Sequence, residues 1–353
     1  MSSPLCHLME DHRDAYFFWK KLGVLGCTCV HVDAHLDTGE LQLPGYTGTR
    51  QPEINCGNFL LHAMVEGIVR TLVWVVPPHL PQPDRVAWIQ QEVQTWLHPT
   101  LSEHLSWRDC GARLEGRLRG CRVVVCRSDR LPDLDGPVLL DVDVDYFLGP
   151  DDQVWQSPLE LVSHLRHLAP VALTVAYSVE GGYTPVWLRH LGDLTALAWL
   201  RPNEAPAWTR LEEPWVGAAR LVAEVRDDFD HPAYRQAAEL DPGYALSALD
   251  AACYHLQRNR YEACLAWLSR VEPEDPNSAC YLRAFIHFSQ QNFASARDCW
   301  VSLLEQPHDH QTRRHLLEMQ GRTLTALGRS LEAVSAFSQA AGLAPSEARP
   351  WID

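Results

Sequence analysis

The sequence predicts an α/β domain with a mostly parallel sheet flanked by helices, followed by an all-α domain of helical repeats. In the first half, short apolar runs alternate with amphipathic stretches, which is typical of parallel strands joined by helices. From about residue 190 the strand patterns stop, and the rest of the chain is helical and repeats itself. With 353 residues, the chain is long enough for two domains with sizeable cores.

Six short apolar runs define the predicted sheet. They cover residues 5–10, 27–33, 71–76, 121–126, 137–145 and 171–178. The stretch LEGRLRGCRVVV predicts a hairpin that adds an antiparallel strand. Amphipathic stretches predict helices between the runs, over residues 57–70, 84–97 and 157–168.

The second half begins after RPNEAPAWTRLEEPW, a stretch rich in proline and charge that predicts a connection. We therefore assign residues 1–200 to the first domain, 201–234 to a linker and 235–353 to the helical repeats. The assignment implies that the two domains have separate roles.

Three segments of the second half align with one another: RYEACLAWLSRVEPEDP, NFASARDCWVSLLEQP and RSLEAVSAFSQAAGLAP. Each has an alanine followed four residues later by an aromatic residue, as in Ala263 and Trp267, Ala296 and Trp300, and Ala333 and Phe337. A period of roughly 34 residues with a small residue, an aromatic residue and a closing proline is the tetratricopeptide pattern. The alternative is a generic helical bundle.

The composition excludes some classes of function. The net charge of −15 argues against binding of nucleic acid and is compatible with a cationic substrate. No stretch is long and apolar enough to span a bilayer, and the start of the chain does not resemble a secretory signal. Eleven cysteines without a CxxC pair favour reduced thiols, so we expect a cytoplasmic protein that binds no membrane.

The stretch CVHVDAHLDTG places three ionisable residues directly after an apolar run. Asp33, His35 and Asp37 alternate with small or apolar residues, so they would point to one side of a strand end. Two carboxylates and an imidazole on the same side repel, pair with cations or hold a metal ion. The pattern therefore marks this strand end as a candidate metal site.

Two other predicted strands end in the same way. PVLLDVDVDYF carries three alternating aspartates, and MEDHRD follows the first strand with an acidic residue and a histidine. If the strands are neighbours, two imidazoles and four carboxylates converge, from His12, Asp33, His35, Asp37, Asp143 and Asp145. Six mostly oxygen ligands suit two divalent cations with bridging oxygens, and they favour manganese. A surface carboxylate cluster without metal is the alternative.

These motifs carry a resemblance to a known family. VDAHLD resembles the DAHxD motif of the arginase and agmatinase group, in the arginase/deacetylase superfamily, while LDVDVDYF and EDHRD resemble the other two metal motifs of that group. EDHRDAYFFW and EGGYTP look like an offshoot family that includes peptide arginases. The resemblance covers roughly residues 1–190 and implies an arginase-like three-layer α/β/α fold with two Mn²⁺ ions per chain.

The resemblance also implies a role for each metal ligand. The first ion would be held by His12 and Asp37, the second by His35 and Asp145, and both would be bridged by Asp33 and Asp143. Asp141 would orient a ligand. The paired ions would activate a water that adds to a guanidinium carbon, releasing urea and an amine.

Three further residues are candidates for catalysis or substrate binding. His62 in CGNFLLHAM would shuttle a proton, although it lies two residues further from Gly-Asn than in arginases, and a packed helical histidine is the alternative. Glu180 in SVEGGYTP would act in catalysis by pairing with the substrate guanidinium, or is a turn glutamate. Asn58 would bind substrate or cap a helix.

The leading hypothesis is a manganese-dependent peptide arginase, which converts arginine residues of a peptide to ornithine. TGELQLPGY, after DAHxD, does not match the residues that grip free arginine in arginases, and helical repeats form grooves that suit a peptide or protein partner. One alternative is a binuclear-metal amidohydrolase of acylated amines or small guanidino compounds. Another is a non-catalytic repeat scaffold.

Overall fold

The computed structural model describes residues 5–39, 54–80, 84–96, 107–308 and 310–343. They contain an α/β arrangement with an eight-stranded sheet, and they divide into two compact units, one ending at Leu246 and one beginning at Ser247. Within the described residues, no helix is long and apolar enough to cross a membrane. Most of TGELQLPGY and the end of the third predicted repeat segment lie outside the described residues.

The sheet has eight strands in the order β1-β8-β7-β2-β3-β6-β5-β4. The strands are β1 (Leu5–Met9), β2 (Cys27–Val32), β3 (Val69–Val75), β4 (Arg108–Asp109), β5 (Arg113–Leu118), β6 (Cys121–Cys126), β7 (Val138–Asp143) and β8 (Ala172–Ala176). The first six in this order are parallel, and β5 pairs antiparallel with β6 and β4. The mostly parallel sheet and the added hairpin are therefore confirmed.

Seven helices accompany the sheet in the described part of the first unit. They are α1 (Asp14–Leu22), α2 (Phe59–Val65), α3 (Arg85–Trp96), α4 (Pro158–Leu165), α5 (His190–Leu200), α6 (Pro214–Ala223) and α7 (Pro232–Leu240). Helix α2 is shorter than the predicted 57–70, because Gly67 has a φ of 75° and the chain then enters β3. Helix α1, which the sequence analysis did not predict, ends at left-handed Gly23.

The central strands are buried on both faces. Every residue of β2, β7 and β8 is buried, which explains why these strands are mostly apolar on both faces. Five polar side chains interrupt them, those of Thr28, His31, Asp141, Asp143 and Thr174. Since a buried polar group is costly without a partner, these residues should contact one another or a further group.

The predicted linker 201–234 contains folded structure, which corrects its description as a simple connection. It includes α6, whose Val216 and Val222 are fully buried, and the first compact unit continues to Leu246. The composition misled because Pro214 and Pro232 are the first residues of α6 and α7. Proline is favoured at the start of a helix, since its missing N–H would be unpaired there anyway.

The described part of the second unit is helical. Its helices are α8 (Ala248–Gln257), α9 (Tyr261–Val271), α10 (Pro276–Ser289), α11 (Phe293–Leu304), α12 (His310–Ala326) and α13 (Ser330–Gly342). The three aligned segments fall on α9, α11 and α13. Ala296, Trp300 and Ala333 are buried, whereas Phe337 is 39% exposed and lies against Gly321 of α12. The tetratricopeptide assignment stays a prediction.

Candidate metal centre

The predicted metal residues lie together at the carboxyl ends of parallel strands. His12 follows β1, Asp33 follows β2, and Asp143 is the last residue of β7. Asp145 lies in the 3-10 turn Val144–Phe147 that continues β7. Because these strands run in the same direction, their ends share one edge of the sheet, the edge at which parallel sheets place functional groups.

His12 is surrounded by carboxylates. Its Nδ1 atom is 3.3 Å from Asp33 Oδ2, 3.1 Å from Asp37 Oδ2 and 3.0 Å from Asp143 Oδ2. One ring nitrogen carries at most one proton, so it cannot satisfy three carboxylates. Among the described residues, His12 Nδ1 and Asp33 Oδ2 are buried without a hydrogen-bond partner. This is the arrangement expected where a cation belongs among the donors.

A second donor group surrounds His35. Its Nδ1 atom is 2.8 Å from Asp145 Oδ2 and 3.6 Å from Asp33 Oδ1. Asp33 therefore faces His12 with one oxygen and His35 with the other. The sets His12–Asp33–Asp143 and Asp33–His35–Asp145 each have donor atoms within 4.8 Å of one another. One carboxylate common to two donor groups is the geometry of a bridging ligand for paired metal ions.

Asp141 orients His12. Its Oδ2 atom is 2.9 Å from His12 Nε2 and 2.8 Å from His31 Nδ1, and its Oδ1 atom accepts a hydrogen bond of 2.5 Å from the Thr174 hydroxyl. Asp141 is fully buried, and the imidazoles lower the pKa of its carboxyl group by more than burial raises it. A carboxylate on the far nitrogen of a histidine fixes the ring so that the other nitrogen faces the metal.

Sequence reasoning missed His31. Its Nδ1 atom faces Asp141, while its Nε2 atom is 3.1 Å from the His35 carbonyl oxygen and 3.3 Å from Asp33 Oδ2. Both nitrogens face only acceptors among the described residues, which favours the charged form of the ring. Burial lowers the pKa of His31, but Asp33 and Asp141 raise it by more. The signal was present, because the alternation of charged residues begins at His31, two residues before Asp33.

The cluster has an excess of negative charge. It contains three imidazoles, but five carboxylates, those of Asp33, Asp37, Asp141, Asp143 and Asp145. Two negative charges therefore remain even when every imidazole is protonated. Burial and the charges of Asp143 and Asp33 raise the pKa of Asp145 to about 8, and burial and Asp33 raise that of Asp37 to about 6. Protons thus replace the missing positive charge when no cation is bound.

A cluster residue, Asp37, and its neighbour Ser178 have left-handed backbone conformations. Asp37 has a φ of 50° and Ser178 a φ of 53°, a region that non-glycine residues rarely adopt. Asp37 directs its carboxylate to His12, and the Ser178 hydroxyl donates a hydrogen bond of 2.6 Å to Asp143 Oδ2. Such strain is concentrated at functional sites, where the surrounding structure supports it.

The cluster is open on one side. The side chain of His35 is 49% exposed, whereas those of Asp33 and Asp141 are fully buried. The ring of Tyr183 meets His35 edge to face with 5.2 Å between the ring centroids, and Tyr183 is 38% exposed. His35 and Tyr183 therefore border the exposed side of the cluster.

His62 does not join either donor group. It lies buried in α2 against Tyr16, with Glu66 and Lys20 as its charged neighbours. Burial lowers its pKa to about 4, so the ring is neutral near pH 7. Its described contacts match those of a packed helical histidine, and its role as a proton shuttle stays a prediction.

Glu180 and Asn58 lie outside the two donor groups. Glu180 is exposed in the turn after β8, where Gly182 N donates to Val179 O at 3.0 Å, and no ion pair of Glu180 occurs within the described ranges. Asn58 occupies the N-cap position of α2, but its side chain makes no capping hydrogen bond. Its Oδ1 atom instead accepts from Asn55 N at 2.8 Å. Substrate binding by either residue stays a prediction.

Comparison of the chain with models of known protein families gives no match, and comparison with curated proteins gives none either. The function must therefore be argued from the geometry and chemistry of the cluster.

Proposed function

We propose that the cluster binds two divalent cations, preferably Mn²⁺, and that the protein is a peptide arginase, which converts arginine residues of a peptide to ornithine and releases urea. The observation that carries the proposal is Asp33, whose two oxygens face His12 in one donor group and His35 in the other. A single-ion site has no need of a shared carboxylate.

The donor set fits the proposed ions. His12 and Asp37 would hold one cation, His35 and Asp145 the other, and both would be bridged by Asp33 and Asp143. Hard, mostly oxygen donors favour manganese over softer metals. When bound, paired cations supply Lewis acidity and lower the pKa of water. Buried Asp145 Oδ2 lies 2.8 Å from His35 Nδ1 without the alignment of a hydrogen bond, as expected of two donor atoms that face a shared cation.

The other residues of the site would preorganise these ligands. Asp141 holds the His12 ring, and Ser178 donates to Asp143, so neither ligand has to be ordered when the cations bind. The complete burial of Asp33 excludes bulk water from the shared carboxylate. A guanidinium group would enter on the exposed side of His35.

A cationic, peptide-borne substrate fits the surface chemistry. The chain has a net charge of −15, and the exposed Glu180 offers a carboxylate in the turn after β8. Carboxylates pair with guanidinium through two parallel hydrogen bonds. Tetratricopeptide-like repeats in the second unit would recruit a peptide or protein partner, because stacked helical repeats form grooves for extended chains.

The same donor groups also suit a second candidate, a binuclear-metal amidohydrolase of acylated amines. Such a substrate has no guanidinium and needs no carboxylate partner. The two reactions differ in what leaves the substrate, so the product distinguishes them.

Elemental analysis and a peptide assay together test the proposal. We expect about two Mn²⁺ per chain after loading, and loss of a CN₂H₂ unit from arginine peptides in mass spectrometry. Loss of an acyl group would instead identify the amidohydrolase. Protein that binds no stoichiometric metal and changes no peptide would be a scaffold. Asp133→Asn, at an exposed position away from the cluster, serves as the matched control.

A further inference from the structure

A cavity of about 300 Å³ lies at the carboxyl ends of β3 and β6. Its floor is apolar and formed by the buried residues Val76, Trp88, Leu114 and Val125. Its volume matches the small end of ligand pockets and suits one side chain or a small molecule. The cavity contains none of the cluster residues.

Three arginines line the same cavity, in a chain that is acidic as a whole: Arg85, Arg127 and Arg130. Arg85 is held in place, since its Nη1 atom donates to the Gly111 carbonyl oxygen at 2.6 Å and lies 3.4 Å from Asp109. The guanidinium of Arg85 is thus a fixed part of the wall.

Arg127 and Arg130 have guanidinium N–H groups that are available to a ligand. Their Nε atoms lie 3.5 Å and 3.4 Å from the two oxygens of Asp129, distances at the limit of a hydrogen bond. Their side chains are 62% and 63% exposed, and Asp129 is their only ionic partner among the described residues. The terminal nitrogens of both guanidiniums therefore have no protein acceptor there.

The ion pairs of the lining arginines leave room for one anion. Among the described residues, the three guanidiniums pair with two carboxylates, those of Asp109 and Asp129, so one of the three positive charges is not matched by them. A carboxylate carries one negative charge and matches the fork of a guanidinium, whereas a phosphate dianion would leave a negative charge over. The apolar floor would hold the carbon atoms that carry the carboxylate.

The cavity opens on the same edge of the sheet as the metal centre. Strand β3 is the parallel neighbour of β2, and β6 is the parallel neighbour of β3. Since neighbouring strands lie about 4.8 Å apart, the cavity is roughly 5–10 Å along the sheet from the end of β2 and Asp33. An extended peptide covers this span in about one to three residues.

We propose that this cavity is a carboxylate-binding subsite, which takes an acidic side chain of the peptide one to three residues from the arginine that enters the metal centre. The link to the peptide rests on the proposed function. The carboxylate chemistry of the cavity does not, because it follows from the three arginines and the apolar floor.

The test measures binding by the full chain, with and without Mn²⁺. A series of fluorescently labelled peptides is used, each with one arginine and one glutamate. The glutamate is placed at a different position in each peptide, from three residues before the arginine to three after it, and a matched series carries glutamine in place of glutamate. We expect glutamate to bind about three- to tenfold more tightly at one or two of these positions. Arg127→Gln/Arg130→Gln should remove the preference, and Arg220→Gln/Arg235→Gln, at exposed positions on α6 and α7, should keep it.

Equal affinity for glutamate and glutamine peptides at every position would overturn the proposal. So would a preference that survives in a folded Arg127→Gln/Arg130→Gln protein. Free N-acetylglutamate separates two sources of the carboxylate, because a site for a small molecule would bind it without any peptide. A preference without urea release would support the cavity and contradict the peptide arginase; urea release without a preference would do the reverse.

Discussion

His12 Nε2 lies 2.9 Å from Asp141 Oδ2, on the opposite side of the imidazole ring from the carboxylates of Asp33, Asp37 and Asp143. The contact leaves His12 Nδ1 as the nitrogen that would face a cation. Thr174 and His31 also bond to the Asp141 carboxylate, so its orientation does not depend on a metal ion.

Asp141→Asn should weaken metal binding while the fold persists. The amide keeps the size of the side chain but removes the charge that holds His12 in the required tautomer. Loss of such a partner typically lowers metal affinity about 10–100-fold. Titration with Mn²⁺ by calorimetry, with Asp133→Asn as the control, checks the prediction. An unchanged affinity would mean that Asp141 is only a buried structural carboxylate.

Asp143→Ala should abolish turnover and reduce the Mn²⁺ content below that of the wild type. Asp143 is a bridging ligand in the proposal, so its loss affects both ions. Folding should be less affected, with about 1–3 kcal/mol lost because the Ser178 hydroxyl loses its acceptor. Elemental analysis and thermal unfolding of the same preparation separate the two effects. Full metal content and activity in the variant would exclude the assigned role.

The stability of the metal-free protein should depend on pH. Burial and the charges of Asp143 and Asp33 raise the pKa of Asp145 to about 8 in the folded chain. The folded state therefore holds a proton that the unfolded chain releases near pH 4. The contribution of Asp145 to the free energy of unfolding consequently falls as the pH rises from about 4 to 8.

His35 changes stability in the same direction. Burial lowers its pKa, but Asp145 raises it by more, so the charged ring is favoured in the folded state. The stability that His35 contributes is complete below about pH 6.5, and it is lost as the pH rises through the raised pKa of the ring. Melting temperatures in a chelator should therefore fall between about pH 6 and 9, and added Mn²⁺ should cancel the fall. A flat profile in the chelator would contradict the charge balance described for the cluster.

Much of this arrangement was readable from the sequence, and the exceptions have physical causes. The alternation after β2 and along β7 identified six residues of the cluster, because a period-two pattern can be recognised from neighbouring residues in the sequence. His31 was missed although it begins the alternation, because it lies within the apolar run and its partner Asp141 is distant in the sequence. Ser178 was missed because its left-handed conformation depends on the turn after β8. Pro214 and Pro232 concealed two helices, since proline marks linkers and helix starts alike.

Removal of the second unit should separate metal binding from peptide processing. A chain ending at Leu246, where the first compact unit ends, should bind Mn²⁺ and hydrolyse a short arginine peptide. It should process a long precursor peptide poorly if the repeats recruit it. Rates on both substrates, together with a melting curve that verifies folding, give the comparison. Equal rates for the truncated and whole protein on the long substrate would refute recruitment.

Glu180→Gln should lower kcat/KM for an arginine peptide only slightly, because exposed ion pairs contribute little. The loss of transition-state stabilisation should be at most about 1 kcal/mol. The substitution keeps the shape of the side chain and removes its charge, so a peptide with citrulline in place of arginine should bind both proteins alike. A loss of roughly 2–5 kcal/mol is the cost of breaking a desolvated pair, and would contradict an exposed Glu180 in the substrate complex. No loss at all would leave Glu180 as a turn residue and exclude it from guanidinium recognition.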